Sequence, residues 1–453
     1  MFTAVPALAT PLDDYVDAAD SSYTFSITNT STGTGYTLYT VAMTSQTWRI
    51  PSEVDHNAWQ HNMRICVPDN VTSNKALLTI SGGSHGSTPG VDTNLAVSTG
   101  SVVAAIANVP NQPLTFAGES FYRYEDEIIA KTGRLYMDGG DDYWPLLIPM
   151  VKSATSAMDT ISSVAFDEKG VTVNKFVLTG VSKRGWTTWL TAAADSRVCA
   201  IAPAVINVLN MDEQMKYTKK VFEGVTQQVV GGYPQAVQDY VNEGVFDDLD
   251  SQAFQDMLQI IDPYEYRDRL TMPKLMINAT GDEFFVPDSC KNFLSDIPGQ
   301  NYLRFQPNMG HGVNSDGYTT LTQFYDAIVN DTELPDFSWS IQPDGSIRIT
   351  TVDTPTEVKL WQATNPLNRD FRQNVSGTTW TSSVLTEYSP GVYIASVPLP
   401  SLGYTAFMAE MTYNVSGELM TFTTEVNVIP EPGMIVLLLI GLTAMLSRRP
   451  KRA

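Results

Sequence analysis

Basic residues are scarce in this 453-residue chain: 28 Lys and Arg stand against 49 Asp and Glu, for a net charge of −21. A surface of that sign repels phosphate backbones, which excludes DNA or RNA as a partner. Histidine is scarcer still. Only His56, His61, His85 and His311 are present, so chemistry that needs an imidazole base has four candidates. Cysteine occurs three times, as Cys66, Cys199 and Cys290, without the short paired spacings of a disulfide framework or a structural zinc site. These read as isolated thiols, and the apolar run Val198–Ala202 around Cys199 reads as a buried strand. Charged residues make up only 17% of the chain and hydrophobics 43%. That composition is far from disorder and can fill large cores, and the length predicts two or three units at roughly 150 residues each.

Both ends carry sorting chemistry. Residues 1–11 lack a basic cluster and a full apolar core, yet Ala7-Leu8-Ala9 has the small-residue spacing of a signal-peptidase site, so the stretch reads as the remnant of a longer signal. Residues 428–453 open with Val428-Ile429-Pro430-Glu431-Pro432-Gly433, continue with an apolar run from Met434 to Leu446, and end on Ser447-Arg448-Arg449-Pro450-Lys451-Arg452. Such a run falls short of the roughly 20 residues that cross a bilayer comfortably, while the basic cluster would hold the end on the cytoplasmic side. The tripartite segment resembles the PEP-CTERM sorting signal of exosortase substrates. That resemblance implies export, a transient single-pass membrane anchor, and an exosortase-type enzyme as processing partner.

Between the ends, short continuously apolar runs recur at Ala76–Ile80, Val102–Ile106, Lys175–Thr179, Val198–Ala202 and Lys274–Asn278. Runs of that kind are parallel strands covered on both faces, so residues 12–335 are predicted to form an α/β domain around a mostly parallel sheet. No such run appears between Leu209 and Leu270, a segment rich in Gln, Tyr, Met and acids. It reads as a helical lid inserted between two core strands. From 336 to 427 the texture changes to Thr, Ser and Val in period-two runs, with a Pro343-Asp344-Gly345 turn, which predicts a small antiparallel β-sandwich.

The chemistry centres on Phe176-Val177-Leu178-Thr179-Gly180-Val181-Ser182-Lys183-Arg184-Gly185-Trp186. It reads as a strand, a sharp turn bearing a serine, and a helix, the layout of a nucleophile elbow that exposes a hydroxyl above a sheet. The usual elbow places glycine two residues after the serine; here Arg184 stands there and Gly185 follows. In a fold whose catalytic order is serine, acid, histidine, His311 is the single downstream imidazole, in Asn308-Met309-Gly310-His311-Gly312. Asp282 leaves the strand end Asn278-Ala279-Thr280-Gly281 and is the expected acid that fixes the imidazole tautomer, with Glu283 as close competitor. Oxyanion donors are expected from the Lys183 amide and from Gly82 and Gly83 in Ser81-Gly82-Gly83-Ser84-His85-Gly86 after the first core strand. His85 is expected to shape that loop, and His56 and His61 to be surface or packing residues. Trp186 and Trp189 read as helix packing, and Asp247-Asp248-Leu249-Asp250 as a solvated face. The reaction this suggests is serine hydrolysis of an ester or amide with no cofactor. The rival reading is a secreted binding or signalling protein on a hydrolase scaffold, since a fold does not fix a function.

Longer strings carry a resemblance. Leu12-Asp13-Asp14-Tyr15-Val16, Met43-Thr44-Ser45-Gln46-Thr47-Trp48-Arg49, Val109-Pro110-Asn111-Gln112-Pro113-Leu114, Ser182-Lys183-Arg184-Gly185-Trp186-Thr187-Thr188-Trp189, Asp262-Pro263-Tyr264, Asn278 through Phe285, and Leu360 through Pro366 are similar to those of the PhoPQ-activated pathogenicity-related proteins. The resemblance spans about Leu12 to Val428. It implies an exported, α/β-hydrolase-like protein in which Ser-Lys-Arg-Gly is the family's own form of the elbow, linked to envelope defence or virulence-like functions. It implies no settled substrate.

Overall fold

In a computed structural model of the chain, residues 9–433 are described, Thr378 excepted. Ala7 and Leu8 of the expected signal-peptidase site, and the apolar run and basic cluster at 434–453, lie outside the described residues.

Every predicted core run is a strand. Three antiparallel strands come first, β1 (Thr24–Gly33), β2 (Tyr36–Thr47) and β3 (Ala58–Pro68). The core strands β4 (Lys75–Ile80), β5 (Val102–Ile106), β6 (Lys175–Val181) and β7 (Val198–Ala204) follow. A two-strand hairpin, β8 (Val229–Val230) and β9 (Tyr233–Pro234), precedes β10 (Lys274–Ala279) and β11 (Asn301–Gln306). In space the order is β1-β2-β3-β5-β4-β6-β7-β10-β11, and the pairs from β5 to β11 are all parallel. Because β4 is flanked by β5 and β6, the turns after β4 and β6 open side by side at the carboxyl edge of the sheet. Helices Thr93–Thr99 and Ser315–Val329 pack on one face, Leu147–Lys169 and Lys183–Ala194 on the other. This is the α/β-hydrolase-like class that the runs predict.

The three opening strands were not legible as apolar runs because their burial alternates: β2 reads half-buried, buried, half-buried along most of its length. That is how a strand looks when one face meets the core and the other meets water. His61 sits on β3, fully packed, its ring bonded to Ser45 Oγ and the Ala107 carbonyl at 3.0 Å each. Burial pushes its pKa down to about 4, so it is a neutral packing group. Cys199 lies on β7 as expected but is only partly buried, with Sγ against the Phe176 carbonyl.

Between β7 and β10, the segment 209–270 holds the helices Met211–Val221, Gln238–Asn242 and Gln252–Ile261. One carboxylate closes its base. Asp262, 2% exposed, accepts the Asn210 and Met211 amides at 3.2 and 2.6 Å and the Tyr264 amide at 2.9 Å. Burial raises this carboxyl to about 7 even though those amides oppose the shift.

The C-terminal strands are β12 (Phe337–Ile341), β13 (Ile347–Thr351), β14 (Glu357–Asn365), β15 (Thr381–Val384), β16 (Val392–Ala395), β17 (Tyr404–Val415), β18 (Glu418–Thr423) and β19 (Asn427–Pro430). The Pro343-Asp344-Gly345 turn does link an antiparallel pair, β12 and β13. These strands form two antiparallel layers, yet one of them is an extension of the central sheet. β18 pairs with β11 at Leu303 and Thr423, and β17, β14 and β15 continue outward. The core is shared as well: Leu321 and Phe324 of helix Ser315–Val329 pack in one cluster with Ile349, Phe407 and Phe422. The change of texture at 336 therefore marks a change of strand pairing, while the packing runs on across it.

A buried ion pair crosses this seam. Arg304 on β11 and Glu410 on β17 meet at 2.8 Å with side chains 6% and 10% exposed. Glu410→Ala would leave a guanidinium buried without its charge partner, which should cost about 3–5 kcal/mol in urea denaturation. A loss under about 1 kcal/mol would place the stability of the seam elsewhere.

Candidate active site

The elbow forms because glycine flanks it where nothing larger fits. A Cβ on Gly180 would lie 2.5 Å from the Arg184 backbone, and one on Gly185 would lie 2.6 Å from the Ile206 side chain. Arg184 forms one wall of this crossing while its guanidinium reaches out to Glu125 and the Val109 carbonyl, and Gly185 makes the close approach to Ile206. Ser182 itself sits at φ 59°, ψ −130°, a region that costs a non-glycine residue about 1–3 kcal/mol. Three backbone bonds hold it there, Ser182 N–H to the Ala204 carbonyl at 2.8 Å, and Gly185 and Trp186 N–H to the Ser182 carbonyl at 2.7 and 3.1 Å.

The three expected residues come together. His311 Nε2 lies 2.8 Å from Ser182 Oγ, and Nδ1 lies 2.9 and 3.0 Å from the two oxygens of Asp282. Asp282 is 5% exposed and also accepts the Phe284 amide at 2.8 Å, which fixes its carboxylate. Phe284 packs its ring 4.3 Å from the imidazole. Glu283, the competing acid, does something else. Its Oε2 accepts the backbone N–H of His311 at 2.6 Å, so it pins the loop that carries the base and leaves Nδ1 to Asp282.

The Gly82–Gly83 turn lies beside the elbow, as the strand order requires. The carbonyls of Ser81 and Gly82 are taken by the Val109 and Asn108 amides, and that of Gly83 by the Gln112 side chain. These bonds pin the turn beside the elbow, and Gly83 holds a φ of +116° that suits glycine. Lys183 opens the elbow helix, so its amide is one of the helix's unsatisfied N–H groups. His85 is exposed on this loop and stacks 4.4 Å from His56.

Sequence reasoning missed Glu125. It receives both terminal nitrogens of Arg184, at 2.8 and 2.6 Å, and Lys183 Nζ at 2.7 Å. Like Ser182 it holds a strained backbone, φ 52°, ψ −122°, with its N–H bonded to Gln112 Oε1 at 2.8 Å. Arg184 Nε meanwhile donates to the Val109 carbonyl. One buried guanidinium thus joins the elbow, the Gly82 turn and residues 109–125. The one available signal was the arginine itself, since a charge on a buried elbow helix demands a carboxylate.

Ser182 borders two spaces. A groove of about 580 Å³ runs past Gly82, Leu95, Val313 and Tyr318. A cavity of about 50 Å³ opens on the other side, where Met215 and Phe246 of the 209–270 insertion meet Trp186 and Phe284. Trp186, expected only to pack the helix, therefore also walls the site, and its indole N–H donates to the Ile261 carbonyl at 2.6 Å. The insertion covers one side of the serine, as a lid would.

The profile of the PhoPQ-activated pathogenicity-related proteins matches residues 12–372. The chain belongs to that family. Autocrine proliferation repressor protein A of Dictyostelium discoideum is 32% identical to it across 93% of this chain and 91% of its own length. Among solved structures, an acetyl xylan esterase from Paenibacillus sp. R4 is 14% identical and covers 70% of this chain and 92% of its own, at a TM-score of 0.49. A glucuronoyl esterase from Solibacter usitatus is 12% identical over 68% of this chain and 87% of its own, at 0.40.

In this PhoPQ-related protein the Glu125 carboxyl is held low. Burial favours its neutral form, but the hydrogen bonds and charge of Arg184, with the Lys183 ammonium, outweigh burial and bring it to about 2 from an ordinary 4.5. A depressed carboxyl stabilises the fold fully above its unfolded value and loses that contribution as pH falls through the folded one. Glu125→Gln should therefore melt below wild type at pH 7, with the gap closing between about pH 5 and pH 2. Thermal midpoints across that range would check it; a gap that stays constant would show that the carboxylate charge is not what stabilises.

Proposed function

We propose that this protein is an exported serine hydrolase that cleaves an ester or amide bond. Ser182 Oγ attacks the carbonyl carbon while His311 Nε2 takes its proton; the amides of Lys183 and the Gly82–Gly83 turn receive the oxyanion. His311 then returns the proton to the leaving oxygen or nitrogen. Asp282 fixes the tautomer and balances the imidazolium. The reading needs no cofactor. The observation that carries it is the continuous chain from Asp282 through His311 to Ser182, every link at 2.8–3.0 Å, ending on a serine held in a strained turn.

The name of the Dictyostelium relative describes repression of proliferation and states no reaction, which favours a second reading: a secreted binding or signalling protein that keeps a hydrolase scaffold. A fluorophosphonate probe separates the two. It should label the wild type and leave Ser182→Ala unlabelled; equal labelling of both would remove the serine from its proposed role.

Export is proposed from the PEP-CTERM-like order of residues 428–453. The envelope or cell surface is then the destination, with a transient anchor and an exosortase-type cut. The mature protein should end close to Pro430–Gly433, and intact-mass measurement of material from its native host reads this directly. A mature species still carrying Arg448 through Ala453 would contradict processing.

A further inference from the structure

The two spaces beside Ser182 differ in volume more than tenfold, 580 against 50 Å³. Such asymmetry bears on which half of a substrate goes where. The small cavity is walled by Trp186, Ile206, Val208, Met215, Phe246 and Phe284. Its two charged neighbours, Lys183 and Asp126, are occupied with each other at 3.1 Å, and Tyr240 donates to Asp126 at 2.9 Å. What remains for a ligand is apolar. A single water needs roughly 10–15 Å³ of such space, so the cavity and the carbonyl beside it take a group of roughly three to five heavy atoms, the carbonyl carbon and oxygen included.

Both spaces border the serine and a proposed oxyanion donor. Lys183 lines the cavity and also carries the amide proposed to receive the oxyanion. Gly82 of the other proposed donor lines the groove, so the two substituents of a carbonyl carbon on Ser182 divide between cavity and groove. The groove, which passes Gly82, Val313 and Tyr318, is the one of the two spaces with room for the larger half of the substrate.

We infer that the small cavity is the acyl pocket and that the substrates are esters or amides of short apolar acyl groups, two to four carbons long, on a larger alcohol or amine. This rests on the hydrolase reading above. Ser182 Oγ bonds to the acyl carbon, the carbon–oxygen or carbon–nitrogen bond breaks, and the serine proton passes through His311 to the leaving group. Water then cleaves the acyl-serine, releasing the short carboxylic acid and restoring the hydroxyl.

The test is a chain-length series on the full protein: p-nitrophenyl acetate, butyrate and octanoate, each read as kcat/KM. Acetate and butyrate should exceed octanoate by tenfold or more, the order of discrimination that misplaced methylenes produce in an apolar pocket. Met215→Ala, which opens the cavity from the insertion side, should raise the octanoate value about tenfold and shift the optimum to longer chains. A second series, ethyl against octyl acetate, keeps the acyl group and lengthens the alcohol; it should change the rate less than about threefold. Octanoate turned over as well as acetate, or rates set by alcohol length, would overturn the assignment, and the wild-type series decides this even where Met215→Ala does not fold. Fluorophosphonate labelling of Ser182 without turnover of the short esters would overturn the acyl inference alone. Absence of both labelling and turnover would overturn the hydrolase reading with it.

Discussion

The contact on which the site depends is the bidentate pair between Arg184 and Glu125. A buried guanidinium is expensive unless its donors are met, and here one carboxylate and the Val109 carbonyl meet three of them. The consequence is geometric. Arg184 lies against Gly82 so closely that a Cβ there would fall 2.5 Å from the guanidinium, so the position of the Gly82 turn is set by the same side chain that braces the elbow. Lys183 adds a second cation to Glu125 and a first to Asp126. Charges of alternating sign thereby run from Arg184 through Glu125 and Lys183 to Asp126, and removing Glu125 would leave two buried cations short of a partner.

That packing accounts for two strained residues standing close together. Ser182 and Glu125 both occupy positive-φ conformations in which no side chain sits comfortably. Neither would persist alone. Ser182 is held through Ala204 on the neighbouring strand, and Glu125 through Gln112 and Arg184, so the surrounding hydrogen bonds over-determine both. Strain at the serine aims Oγ at His311; strain at Glu125 aims its carboxylate back at the elbow.

Much of this was legible beforehand, for physical reasons that differ by element. The parallel strands announce themselves because both faces are buried, and Ser182, Asp282 and His311 because so few histidines were available and their order along the chain was fixed by the fold. Asp282 could be separated from Glu283 only in three dimensions, since adjacent carboxylates differ in direction and not in chemistry. The opening strands hid behind alternating polarity, which reads the same in an exposed hairpin. Glu125 hid because nothing in local spacing links it to a residue 59 positions later. The seam between β11 and β18 was equally silent: strand runs report their own pairing type but not their neighbour, so an antiparallel region joined to the central sheet reads like one that stands apart.

That seam gives the C-terminal strands a part in the site. Arg369 pairs with Asp288 in the segment following the acid loop, and Arg372 donates to the Gln227 and Gln228 carbonyls of the insertion at 2.8 and 2.6 Å. The family profile ends on Arg372, so the portion it matches includes the clamp on the insertion. Beyond it, β17 carries the load in both directions, paired with β18 toward the catalytic sheet and with β19 along its other stretch. β19 is zipped through Pro430, and Glu431 still bonds to the Gly403 carbonyl at 2.8 Å. Under the proposed processing, a cut on the far side of Glu431 leaves that strand whole, whereas a cut before Pro430 would strip its last pairing. Sheet pairing thus reaches into the Pro-Glu-Pro motif and ties it to β17.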